Sequence, residues 1–176
     1  MGSNERLYVG NKNGIEVPLS LIKIGSGYWN YSFDSTITID SLRFILYSND
    51  SLLSEISTPK LFYSPDSHFN ENNSTYLDFI DFTSSGWSDL DQANIKVNTD
   101  TTDTSSSYTY TELIWNVDTL LASLSDTLDS NLVRTFAIQL ANSDSNFIEL
   151  FSEEASQGDK DPKIIMYYSC LLYTSD

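Results

Sequence analysis

The chain is 176 residues long, 40% apolar and 13% aromatic, enough to bury one sizeable core and too short to make two domains the expectation. Nine basic residues against twenty-five acidic ones leave a net charge of -16, which repels phosphate backbones and anionic lipid heads and argues against nucleic acid or a membrane surface as partner. A single cysteine, Cys170, excludes an intrachain disulfide and a cysteine-built metal site, and no run of about 18 apolar residues or charged-then-apolar leader is present.

In chain order the first pattern is NERLYVGNKNG, a short strand around Leu7 and Val9 followed by a turn in which Gly10, Asn11, Asn13 and Gly14 can accept positive φ. EVPLSLIKI reads as the next strand, and Pro18, which lacks an N–H, places it at an edge or at its own start. The loop GSGYWNYSFDS brings Tyr28, Trp29, Tyr31 and Phe33 together between strands. In TITIDSLRFILYS, Leu42, Phe44 and Leu46 share one face and Arg43, Ile45 and Tyr47 the other, the pattern of a central strand with cover on both sides. EISTPKLFYS is a further strand, interrupted near Pro59. SPDSHFNENNST is loop by composition, and TYLDFIDF returns to strand with Asp78 and Asp81 on opposite faces. From Thr83 to Ser107 the residues are mostly Ser, Thr, Asp and Asn, with Trp87 and Ile95 as apolar anchors, which predicts one long loop excursion.

YTYTELIWNVD resumes a strand, with Leu113, Trp115 and Val117 on one side and Tyr108, Tyr110 and Ile114 on the other. A short helix is expected next: Val117, Leu120, Leu121, Leu124 and Leu128 form one apolar stripe, and Asn116 or Asp118 can cap it. The stretch from Arg134 to Ser169 then holds three strand patterns in succession. RTFAIQLA alternates as a half-buried strand, NSDSN reverses the chain, and NFIELFS completes an expected hairpin. After an acidic loop closed by Asp161 and Pro162, KIIMYYS gives the third. Many strands, one short helix and no βαβ alternation predict an all-β fold, an antiparallel β-sandwich of jelly-roll type with one short helix. The expected domain spans residues 1–169, and residues 170–176, CLLYTSD, resemble the translated adapter read-through found at the ends of metagenomic reading frames.

The segments LYVG, LSLIKI, ITIDSLRFILYS, IWNVDTLL, FAIQL, NFIELFSEEAS and DPKIIMYYS, in that order, resemble the DNRLRE domain family. That family is related to disaggregatase-type repeats and includes alginate-binding carbohydrate modules. The resemblance covers most of residues 5–169 and is strongest in the C-terminal half. It implies a β-sandwich from secreted or cell-surface proteins of bacteria and archaea, appended to polysaccharide-degrading enzymes or adhesins. Members start with a further strand before the position of LYVG, so the resemblance implies an N-terminally truncated domain within a larger multidomain chain.

Enzymatic chemistry finds little material here. The one histidine, His68, lies in a polar loop with no second imidazole, and neither G-x-S-x-G nor a phosphate-cradling glycine loop is present. A two-carboxylate site is permitted by so many acidic residues, yet for the same reason no pair can be nominated. Carbohydrate binding is better supplied. Sugar C–H faces stack on aromatic rings and sugar hydroxyls need Asn, Asp, Gln or Ser, so Tyr28, Trp29 and Tyr31 in GSGYWNYS and Trp87 in SSGWSD are the candidate platform. The acidic surface favours a neutral glycan over a polyanionic one. No cofactor is implied beyond calcium, for which Asp89 with Asp91, or Asp100 with Asp103, offer hard oxygen ligands without reproducing an EF-hand spacing. The expectation is therefore a non-catalytic, extracellular carbohydrate-binding module, with a structural or adhesive spacer of a surface or virion protein as its alternative.

Overall fold

A computed structural model describes residues 6–24, 37–49, 58–64, 86–100, 108–121, 134–140, 147–152 and 159–170. The strands are β1 (Arg6–Lys12), β2 (Ile15–Val17), β3 (Ser20–Ile24), β4 (Ile37–Ser48), β5 (Pro59–Ser64), β6 (Ser88–Gln92), β7 (Asn94–Asp100), β8 (Tyr108–Asn116), β9 (Arg134–Leu140), β10 (Phe147–Phe151) and β11 (Lys163–Cys170). They form three sheets, ordered β11-β4-β8-β7, β3-β9-β5-β6 and β10-β1-β2. Every pairing is antiparallel. The protein is an all-β sandwich.

Alternation decides which side chains the sheets share. Leu42, Phe44 and Leu46 of β4 meet Phe136, Ile138 and Leu140 of β9 in one interior, joined by Leu113 and Trp115 of β8, Leu61 and Tyr63 of β5, and Val9, Ile148 and Leu150 of the three-stranded sheet. Phe136 stacks on Phe44 at 4.6 Å and tilts against Tyr63 at 5.1 Å, so aromatic rings bridge the two larger layers. Each such fully buried side chain contributes about 1.5–3 kcal/mol of transfer free energy. Hydrogen bonds across sheets fix the assembly: the Ser48 hydroxyl donates to the Glu149 carbonyl at 2.7 Å, and the Ser20 hydroxyl donates to the Tyr8 carbonyl.

The expected central strand, β4, does lie between β11 and β8. EVPLSLIKI divides: Pro18 and Leu19 separate β2 from β3, because a residue with no N–H and a fixed φ ends the ladder. The turn joining β1 to β2 uses Asn13 (φ 55°) and Gly14 (φ 82°), the pair of left-handed residues a tight hairpin requires. Asn11 belongs to β1, and its side-chain oxygen accepts a hydrogen bond from the Gly14 N–H at 3.1 Å. Pro59 opens β5 rather than interrupting it.

Four expectations need correction. β9 is buried on both faces, since Thr135 and Ala137 are as enclosed as Phe136 and Ile138. The β9–β10 hairpin is not formed: β3 and β5 occupy both edges of β9, and β10 pairs with β1 instead, setting Ile148 opposite Val9 and Leu150 opposite Leu7. The polar excursion from Thr83 to Ser107 contains β6 and β7, each at the outer edge of a sheet, where partly buried Leu90 and Ile95 are the apolar side chains that pack against the core. Among the described residues the expected helix is a 3₁₀ turn, Asp118–Leu120, with Asn116 accepting from the Asp118 N–H at 2.9 Å and Asp118 accepting from the Leu42 N–H of β4. Leu124 and Leu128 of the expected stripe lie outside the described residues. β11 runs through Cys170, which stands opposite Ile37.

Candidate functional site

Of the four aromatic candidates, Tyr28, Trp29 and Tyr31 lie outside the described residues. Trp87 lies on the outer side of the β3-β9-β5-β6 sheet, half-buried, packed with Leu19, Leu21, Phe62 and Ala137. The preceding Gly86 adopts φ 86°, a conformation open to glycine and strained for side-chain-bearing residues, and this turn aims the chain into β6. Trp87 is thus a ring seated on an apolar bed at the edge of the sheet.

Polar residues follow it along β6. β5 and β6 pair Lys60 with Gln92 and Phe62 with Asp89, so the register slips by one residue on β6. That slip is a bulge, and Asp91 takes its positive φ of 71°. Asp89 accepts a hydrogen bond from the Asp91 N–H at 2.8 Å with one carboxylate oxygen and from Lys60 Nζ at 3.1 Å with the other. Asp91 in turn accepts from the Gln92 N–H at 2.9 Å. The Asp91 backbone N–H, opposed by partial desolvation and helped by Lys60, holds the Asp89 carboxyl below its ordinary value. Asp89 and Asp91 are therefore exposed carboxylates engaged in closing a bulge, with a lysine ammonium on Asp89. Among the described residues no group of three His, Cys, Asp or Glu gathers as a metal site would need. His68, Asp78, Asp81 and Asp103 lie outside the described residues.

A second aromatic region escaped the sequence reading. On the outer side of the β11-β4-β8-β7 sheet, Ile45 and Tyr47 pack with Phe151, Tyr110, Ile114 and Ile165. Cations lie over these rings: Lys163 Nζ is 4.8 Å from the Tyr47 centroid and Lys160 Nζ is 4.7 Å from that of Tyr110. Further along β11, Tyr167 and Tyr168 are 43% and 60% exposed, and the Arg43 guanidinium lies 4.9 Å from the Tyr167 centroid. The signal was present in KIIMYYS, where the large side chain changes from Ile and Met to two tyrosines as the strand runs past the core.

No family model matches the chain, and no curated protein or solved structure matches it. Among the described residues no helix is long and apolar enough to cross a membrane.

Proposed function

We propose that this chain is a non-catalytic, extracellular glycan-binding module of a larger cell-surface or polysaccharide-processing protein. The observation that supports it is Trp87: an indole packed half-buried on the outer side of the β3-β9-β5-β6 sheet, two residues before Asp89, whose carboxylate pairs with Lys60. A ring of this kind can take the C–H face of a sugar while the donors and acceptors beside it bond the hydroxyls. Membership of the DNRLRE family and a jelly-roll type of connectivity belong to the same proposal. So does a neutral glycan as ligand, since the charge of -16 disfavours a polyanion.

The test is a panel of neutral and acidic oligosaccharides titrated into the whole chain, read by tryptophan fluorescence and calorimetry, with and without calcium. A neutral sugar should bind and quench emission, and Trp87→Ala should weaken that binding by about tenfold, the worth of one stacked ring. A chain that responds to no sugar in the panel would establish the spacer reading instead.

A further inference from the structure

We propose that the bulged end of the β4–β11 pair is a second glycan-binding surface, taking a neutral sugar ring through Tyr167, Arg43, Asp40 and Ser169; it rests on the glycan-binding reading above.

Register creates this surface. Lys163 to Tyr167 run opposite Ile45 to Ser41 in step, and then the pairing slips so that Tyr168 meets Ile39 and Asp40 is the extra residue. Before the slip, Ile164 and Met166 pack toward the shared core, so Tyr167 and Arg43 point outward with Ile165. The bulge turns Asp40 to the same outer side, where its carboxylate accepts a hydrogen bond from the Ser169 hydroxyl at 3.2 Å. Arg43, Asp40, Tyr167 and Ser169 are all exposed. Ile15 and Val97, the aliphatic side chains most open to solvent among the described residues, offer no ring at all.

The chemistry of this cluster suits a sugar. Tyr167 supplies an aromatic surface for C–H groups. Arg43 supplies a fork of donors, already held against the Tyr167 ring, so less side-chain freedom is lost when it engages a pair of neighbouring hydroxyls. Asp40 accepts, and Ser169 can do either. One cation and one anion cancel locally, which favours an uncharged ring over a uronate or a sulfated sugar. Trp87 packs on the outer side of the opposite layer, so the two surfaces face away from one another and can engage separate polysaccharide chains.

Calorimetry of the whole chain with cello-, xylo- and manno-oligosaccharides tests this. The wild-type protein should show a second binding step that survives Trp87→Ala. Tyr167→Ala and Arg43→Gln should each weaken that step by about tenfold. Tyr167→Phe, which keeps the ring, should retain most of it. Tyr167 and Arg43 are exposed, so the thermal midpoints of their variants should stay at the wild-type value, separating lost binding from lost folding. Binding by wild type that Tyr167→Ala and Arg43→Gln leave unchanged would overturn this surface and spare the glycan-binding reading. A wild-type chain that binds none of the sugars would overturn both.

Discussion

The central strands β4 and β9 and the edge strands β6 and β7 are built to different rules. β9 has neighbours on both edges and is enclosed on both faces, from Thr135 to Ile138. β7 has one neighbour among the described residues, leaves Val97 at 48% exposure, and presents Lys96 to solvent in a pair with Glu112 at 3.5 Å. A central strand is therefore held by what it displaces from water, an edge strand mainly by its hydrogen-bond ladder. Polar side chains along an exposed edge also discourage unwanted pairing with other chains.

The largest effect should come from the centre. Phe136→Ala removes a ring stacked on Phe44 and tilted on Tyr63, and unfolding in urea should report a loss of about 3–5 kcal/mol. A loss under 1 kcal/mol, far below the usual range for a buried ring, would mean that β9 is not held by burial on both faces. At the edge, Gly86→Ala meets open space but an unfavourable φ, so it should cost about 1 kcal/mol through backbone strain alone. Val97→Thr should change stability by less than about 0.5 kcal/mol, and a larger loss would place β7 among the central strands.

The smallest effect is a pH dependence. Asp89 has its folded pKa lowered, so its contribution is present above the unfolded value and is lost as pH falls through the folded one, below about pH 4. Because the pair with Lys60 is solvent-exposed, screening leaves a few tenths of a kcal/mol. Comparing urea midpoints of wild type and Asp89→Asn at about pH 6 and about pH 3 should show the difference shrinking in acid. A difference that grows in acid would reverse the sign assigned to this carboxylate.

The same contrast explains what the sequence made legible. Leu42, Phe44, Leu46, Phe136 and Ile138 alternate strongly because central positions demand apolar side chains, and their burial follows directly. Ser88 to Asp100 read as loop because an edge strand asks so little of its side chains that composition hides it. Partner choice was beyond local pattern too: nothing in RTFAIQLANSDSNFIELF says that β3 and β5 have already taken the edges of β9. Trp87 was visible as a candidate because a tryptophan among polar residues stands out. Tyr167 was not, because its setting depends on a slip opposite Asp40 that no single strand's alternation encodes.

The strands β9, β10 and β11 follow one another in the chain and enter three different sheets. During synthesis, the first half of the molecule can hold only partial sheets with open edges until these late residues leave the ribosome. Ser20 waits for Ile138, Val9 for Ile148, and Ile45 for Lys163. Closure must then come late, through pairings distant in sequence, which is the kind of search that makes folding slow and leaves a nascent chain dependent on shielding from its neighbours.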